Sequence, residues 1–174
     1  MKHLILGGAR SGKSRYAEQL AQASHKEVIY IATGTAGDEE MQERIEKHQA
    51  DRPRHWQTIE EPFLLADKLE EYDSTRYFIL VDCLTLWLSN ILFDPQGSYQ
   101  EDVFLQQKQA LLAVLPTLQA DLTLVSNEVG SGIIPMHSMS RRFVDEAGRL
   151  HQQLAQICPQ VTLVTAGLAQ QLKH

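Results

Sequence analysis

Short runs of apolar residues alternate with longer segments of helical periodicity along most of the chain. The apolar runs have the length of buried strands and are bounded by polar or glycine residues, so five strands are predicted. They cover residues 4–6, 28–32, 78–81, 122–125 and 161–164, and the last is expected to close the sheet. Strands that alternate with helices are typical of a parallel sheet covered by helices. The pattern therefore predicts an α/β fold whose ligands lie beyond the carboxyl ends of the strands.

Six segments between these runs carry the periodicity of helices. They cover residues 14–23, 38–49, 62–72, 84–93, 100–115 and 138–157. Arg52 and Pro53 end the second helix, which is very polar, and Pro62 suits the first turn of the third. No repeat, low-complexity tract or linker separates these elements. We therefore expect one catalytic, nucleotide-binding domain over residues 1–174.

A glycine-rich segment lies between the first predicted strand and the first predicted helix. It matches the pattern G-x-x-x-x-G-K-[ST] in the structural context that this pattern requires. Its residues are Gly7, Gly8, Ala9, Arg10, Ser11, Gly12, Lys13 and Ser14. Backbone N–H groups and the helix N-terminus would cradle phosphates, Lys13 would contact the outer phosphates and Ser14 would ligate Mg²⁺. The segment predicts a P-loop NTPase fold of the RecA-like kind, with a mostly parallel sheet, that binds ATP or GTP.

Asp82 is the second candidate metal residue, because it follows the strongly apolar strand at residues 78–81. A carboxylate at such a strand end holds Mg²⁺ in many P-loop enzymes. The same residue could instead cap the helix that is predicted to start at Leu84. Both interpretations stay open on the sequence alone, and the metal role is preferred.

Two motifs of signalling GTPases are missing or misplaced. No N-K-x-D motif for guanine is present, and the D-x-x-G matches at residues 94–97 and 145–148 do not follow strands. A signalling GTPase is therefore not expected.

The polar helix at residues 38–49 contains the most unusual histidine. Met41 and Ile45 are four residues apart and His48 follows three residues later, so all three share one helix face. His48 could be a satisfied core residue, a surface residue on a frayed helix end or a nucleophile. The other histidines have no comparable polar neighbourhood near the phosphate loop in the sequence.

Composition and charge exclude several classes of protein. Hydrophobic residues make up 43% and charged residues 22%, as in ordinary globular proteins, and the net charge of −6 argues against nucleic-acid binding. Cys83 and Cys158 lie in or beside apolar runs, so buried thiols are expected rather than a disulfide or a metal site. We expect neither a signal peptide nor an integral membrane segment, and hence a cytoplasmic protein.

Together these residues resemble the bifunctional adenosylcobinamide kinase/adenosylcobinamide-phosphate guanylyltransferase family over nearly the whole chain. The matches beyond the phosphate loop, in chain order, are Arg15, Ala17-Glu18, Tyr30-Ile31-Ala32-Thr33, Arg44-Ile45 with His48, Arg52-Pro53, Trp56 with Glu60, Asn127-Glu128-Val129-Gly130 with Gly132 and Pro135, Arg142-Phe143, and Ala147-Gly148-Arg149. The chain departs from the family pattern at Asp82, where relatives carry Glu, and around residues 33–35.

The resemblance implies two reactions. The family phosphorylates the aminopropanol hydroxyl of adenosylcobinamide with ATP or GTP, and then transfers GMP from GTP onto that phosphate. The second reaction passes through a guanylylated histidine, which corresponds to His48. Family nucleotide contacts carry over to Gly7–Ser14, Thr33, Gly34, Thr35, Gln49, Ala50, Asp51, Arg52, Glu60 and Asp82. Adenosylcobinamide and its phosphate are thus the expected partners, and a homo-oligomer, often a trimer, is implied. A small-molecule kinase without guanylyl transfer, or a regulatory nucleotide-binding module, would be the alternatives.

Overall fold

The computed structural model describes residues 1–35, 53 and 55–174. The strands of this part are β1 (Lys2–Gly7), β2 (Glu27–Ala32), β3 (Gln57–Glu60), β4 (Tyr77–Asp82), β5 (Asp121–Asn127), β6 (Gln160–Thr165) and β7 (Leu168–Lys173). They form one sheet in the order β3-β2-β4-β5-β1-β6-β7. The strands from β3 to β6 pair in parallel, and β7 pairs antiparallel with β6. The α/β fold with a mostly parallel sheet is confirmed.

The prediction of five strands was wrong, because the sheet also contains β3 and β7. In consequence β6 does not close the sheet. Both additional strands lie at the edges, where one side of each strand has no neighbouring strand among the described residues. The burial patterns of β3 and β7 are almost entirely exposed or intermediate. Edge strands of this kind carry polar residues, which leaves no apolar run in the sequence.

The helices of the described part agree closely with five of the six predicted segments. They are α1 (Lys13–Ala23), α2 (Leu65–Glu71), α3 (Leu84–Leu92), α4 (Glu101–Val114) and α5 (Ser138–Ile157). The largest difference is in α2, which starts three residues after the predicted Pro62. The Glu61 carboxylate accepts hydrogen bonds from the backbone N–H groups of Phe63 and Leu64, at 3.0 and 2.8 Å. The predicted helix at residues 38–49 lies outside the described residues.

The core divides into two clusters, one on each face of the sheet. Side chains of successive strand residues point to opposite faces, so Leu4 joins one cluster and Ile5 the other. The larger cluster packs α2, α3, α4 and α5 against one face, and the smaller one packs α1 against the opposite face. Packing of helices on both faces of the sheet thus holds the ends of the strands in place.

Strand β5 lies between β4 and β1 in the sheet, so the carboxyl ends of these three strands lie side by side. The register pairs Gly7 with Asn127 and Asp82 with Val125. The phosphate loop, the residues after β5 and Asp82 therefore share one edge of the sheet, as expected for a ligand site. No helix of the described part is long and apolar enough to cross a membrane.

Candidate active site at the carboxyl ends of the strands

The start of the phosphate loop is packed too closely for any residue larger than glycine. A Cβ atom on Gly7 would lie 2.4 Å from Ser11 Oγ and 2.6 Å from the backbone oxygen of Val164. The Ser11 hydroxyl is buried and has no hydrogen-bond partner among the described residues. Buried polar atoms are normally satisfied, so the Ser11 hydroxyl is a candidate hydrogen-bond partner for a bound ligand.

The end of the loop is held by the hairpin between β6 and β7. Gly12 has a φ of +96°, and a Cβ atom on it would lie 3.2 Å from Gly167 Cα. The N–H of Gly167 donates to the Ser11 backbone oxygen at 2.8 Å. Ala166 and Gly167 both have positive φ, as a two-residue hairpin turn requires. Gly167 was not predicted, although a glycine after a strand is a signal for a turn.

Lys13 is the first residue of α1 and its side chain is buried. Its Nζ donates to the Gly8 backbone oxygen at 3.0 Å, which folds the side chain back over the loop. Burial lowers the pKa of Lys13, and the negative charge of Asp82 partly opposes this shift. No acidic residue lies in the first turn of α1, and no side chain caps its N-terminus. The charge of Lys13 and the positive end of the α1 dipole thus lie at the same end of the helix, where both favour a bound phosphate.

Asp82 ends β4 and is fixed by its neighbours. The Tyr30 hydroxyl donates to Asp82 Oδ2 at 2.9 Å. Thr33 Oγ1 donates to the Cys83 backbone oxygen at 2.6 Å and accepts from the Cys83 N–H at 3.0 Å. Helix α3 begins after Cys83 without a side-chain cap, so the helix-cap interpretation of Asp82 finds no support. The hydrogen bonds between Thr33 and Cys83 could not be predicted from the sequence.

The donor set at this edge fits a magnesium ion. The Ser14 hydroxyl and the Asp82 carboxylate would offer oxygen atoms, which Mg²⁺ prefers, and the phosphates of a bound nucleotide would offer others. No group of three or more His, Cys, Asp and Glu side chains suited to a metal lies in the described ranges.

The remaining predicted nucleotide contacts fall into two groups. Thr33, Gly34 and Thr35 follow directly after β2, and Glu60 ends β3, where it is exposed and pairs in register with Ala32. They line the same edge of the sheet as the phosphate loop. His48, Gln49, Ala50, Asp51 and Arg52 lie outside the described residues, so their roles stay predictions.

A series of hydrogen bonds between buried polar side chains next to β5 was not predicted from the sequence. Ser126 Oγ lies 2.8 Å from His151 Nε2 and 3.4 Å from Thr85 Oγ1, which accepts the Asn127 N–H at 2.7 Å. Burial lowers the pKa of His151, and the charge of Glu128 partly opposes this. These hydrogen bonds connect α3 and α5 to the end of β5. They could not be predicted because the residues that form them are far apart in the sequence.

Glu128 starts the loop at residues 128–137, which joins β5 to α5. Its N–H donates to the Gly7 backbone oxygen at 2.9 Å, and its carboxylate accepts from the N–H groups of Gly130 and Ser131 at 2.8 and 3.1 Å. Burial raises the pKa of Glu128, but hydrogen bonds from Ser131 and Gly130 outweigh it and lower the pKa overall. The loop is thus anchored directly to the phosphate loop.

A cavity of about 470 Å³ opens between the phosphate loop and this second loop. Its lining combines backbone, hydroxyl and apolar groups from Gly8, Glu128, Val129, Ser131, Gly132, Leu163 and Thr165. Another cavity, of about 280 Å³, lies between α2 and α4, remote from the phosphate loop and lined by Asp67 and Glu70. No residue of the phosphate loop lines this smaller cavity, whereas Gly8 lines the larger one, so the larger cavity is the candidate for the second substrate.

Comparison with known proteins decides the family. The model of the family described as cobinamide kinase / cobinamide phosphate guanyltransferase matches residues 3–172. This chain belongs to that family. It is 52% identical to the bifunctional adenosylcobalamin biosynthesis protein CobP of Pseudomonas aeruginosa, over 99% of this chain and 98% of that protein. It is 40% identical to the corresponding protein CobU of Escherichia coli, over 99% of this chain and 100% of that protein.

A solved structure supports the fold independently of the sequence. The P4 protein of bacteriophage phi6, in complex with ADP, is similar with a TM-score of 0.51 at 14% identity, over 97% of this chain and 53% of that protein. At such low identity the similarity concerns the fold alone. The P-loop NTPase fold predicted from the sequence is confirmed.

Proposed function

We propose that this chain, as one catalytic domain, phosphorylates adenosylcobinamide with ATP or GTP and then transfers GMP from GTP onto the product. The observation that carries this proposal is the family match over residues 3–172, combined with a complete phosphate loop. The products of the second reaction are adenosylcobinamide-GDP and pyrophosphate.

In the kinase reaction, the aminopropanol hydroxyl oxygen bonds to the γ-phosphorus. The bond from that phosphorus to the β-phosphate oxygen breaks, the nucleoside diphosphate leaves and the hydroxyl proton passes to solvent. The phosphate loop contributes inward-facing N–H groups, and Lys13 lies where it can neutralise charge on the transferred group. Positioning and charge stabilisation are the main requirements of such a transfer.

In the guanylyl transfer, we assign His48 as the nucleophile. An imidazole nitrogen attacks the α-phosphorus of GTP, the bond to pyrophosphate breaks and a phosphoramidate forms. A phosphate oxygen of adenosylcobinamide phosphate then attacks the same phosphorus, and the phosphorus–nitrogen bond breaks to free the histidine. An ordinary imidazole has a pKa of about 6.5, so its neutral nucleophilic form dominates at pH 7. Covalent catalysis divides one difficult transfer into two easier ones.

Ser14 and Asp82 are the residues proposed to hold Mg²⁺. When bound, the ion would neutralise phosphate charge in both reactions. The Tyr30 hydroxyl donates to one Asp82 oxygen and so fixes the orientation of the carboxylate. Gln49, Ala50, Asp51, Arg52 and Glu60 are proposed to contact the nucleotide.

The test is a labelling experiment with α-labelled GTP and the variant His48→Asn. The wild-type protein should retain label in an adduct that survives base and is lost in acid, as a phosphoramidate does. His48→Asn should abolish labelling and guanylyl transfer, while phosphorylation of adenosylcobinamide persists. His55→Asn, which changes the nearest other histidine in the sequence, is the matched control and should label normally.

Two results would contradict the proposal. An acid-labile adduct on the His48→Asn protein would show that another residue is the nucleophile. Phosphorylation by a wild-type protein that never retains label would indicate a kinase without guanylyl transfer.

A further inference from the structure

Three large apolar side chains of the loop at residues 128–137 are largely exposed, two of them almost fully. The exposed fractions are 98% for Ile133, 77% for Ile134 and 96% for Met136. Burying one such side chain stabilises a protein by about 1.5–3 kcal/mol, so leaving three neighbours in water forgoes considerable stability. Single exposed apolar residues are ordinary, but a contiguous group of them marks a binding surface.

The backbone of this apolar segment is fixed at both ends. Before it, the Glu128 carboxylate holds the N–H groups of Gly130 and Ser131. After it, Arg141 Nη1 donates to the backbone oxygens of Pro135, at 3.1 Å, and of Met136. Side chains that remain in solvent on an anchored backbone are presented to a ligand at low entropic cost.

The cavity beside the phosphate loop leads directly to this segment. Its lining includes Gly8 of the phosphate loop as well as Ser131 and Gly132, which immediately precede Ile133. The cavity is about 470 Å³, whereas a corrinoid with its adenosyl group is far larger than that. Only an arm of such a molecule can enter, so its ring must lie on the surface outside.

We infer that Ile133, Ile134 and Met136 bind the corrinoid ring of the acceptor, while its aminopropanol arm enters the cavity toward Gly8. The inference rests on the proposed function and assigns the acceptor half of the same site. The methyl-bearing ring of the corrinoid offers apolar surface that matches the three side chains. Residues 131–136 carry no charge, which also suits an uncharged ring edge of methyl and amide groups.

The experiment uses the full-length double variant Ile133→Ser, Met136→Ser and the matched control Leu105→Ser. Leu105 is 48% exposed on α4, away from the loop. Four quantities are measured on each protein: KM for adenosylcobinamide, KM for ATP, retention of label from α-labelled GTP, and molecular mass in solution. Labelling needs no corrinoid, so it reports the nucleotide half of the site alone.

The inference predicts a KM for adenosylcobinamide raised at least roughly tenfold in the double variant, since two apolar contacts are lost. KM for ATP, labelling and mass should match those of Leu105→Ser. An unchanged KM for adenosylcobinamide would overturn the inference and leave the proposed function intact. A lower mass, with a KM that recovers at high protein concentration, would overturn it in favour of an interface between copies of the chain. A wild-type protein without activity on adenosylcobinamide would instead refute the proposed function.

Discussion

The phosphate loop and the loop at residues 128–137 follow neighbouring parallel strands at the same edge of the sheet, yet they are built in opposite ways. In the phosphate loop the backbone is closely packed at both ends, where Gly7 has no room for a Cβ atom and Gly12 adjoins Gly167. In the second loop, Gly132 has open space around it, and Ile133 and Met136 extend into solvent. One hydrogen bond, from the Glu128 N–H to the Gly7 oxygen, joins the two.

The difference reflects the ligand that each loop is suited to bind. Phosphate oxygens are recognised by backbone N–H groups and a buried lysine, which must be held at fixed positions by close packing. A large apolar surface is recognised by side chains, which need only be presented on an anchored backbone. The structure thus divides the recognition of a charged donor and a bulky acceptor between two adjacent loops.

The largest expected effect is from Lys13→Ala, which removes the charged group of the phosphate loop. A charge-assisted contact contributes about 1.5–3 kcal/mol, so both the kinase and the guanylyltransferase rates should fall roughly tenfold to a hundredfold or more. Lys2→Ala is the matched control, because Lys2 Nζ also donates to a backbone oxygen, that of Leu118, at 3.0 Å at the other end of β1. Steady-state kinetics of both reactions provide the measurement. Wild-type turnover in Lys13→Ala would remove the phosphate loop from the mechanism.

A smaller effect is expected from adding one methyl group to each loop. Gly7→Ala places a Cβ atom against Ser11 Oγ and the Val164 backbone oxygen, so we expect the free energy of unfolding to fall by roughly 1–3 kcal/mol. Gly132→Ala meets no heavy atom within 4 Å and should unfold like the wild type. Urea denaturation of the two variants compares them directly. Equal stability would mean that the two loops do not differ in packing as described.

The smallest expected effect is a loss of stability in mild acid. Burial lowers the pKa values of His3, in β1, and of His151, in α5, below the ordinary 6.5. Below pH 6.5 the unfolded chain therefore binds more protons than the native protein. The contribution of these histidines to stability is fully present above this pH, and it is lost as the pH falls through their lowered pKa values in the native protein. The free energy of unfolding, measured from pH 7.5 to 5, should decline less in His3→Asn and in His151→Asn than in the wild type. A steeper decline in either variant would contradict this assignment.

The strands that appear as apolar runs could be predicted from the sequence. The elements whose position depends on contacts between distant residues could not. The strands β1, β2, β4, β5 and β6 were predicted because buried parallel strands must be apolar. Strand β7 has the sequence Leu-Ala-Gln-Gln-Leu-Lys and is paired with β6 only because the turn at Ala166 and Gly167 returns the chain. The start of α2 depends on hydrogen bonds to Glu61, which no periodicity indicates.

The sequence alone determined the family, the phosphate loop and the strand that ends at Asp82. These depend on residue types at short spacings, where the local chain geometry is nearly fixed by the motif itself. Only the tertiary structure decided that Gly167 supports Gly12, that His151 supports Ser126, and that the apolar loop adjoins the phosphate-loop cavity. In each case the partners belong to different strands or helices and are separated along the chain. Their meeting depends on the order in which the strands pair, which no local pattern encodes.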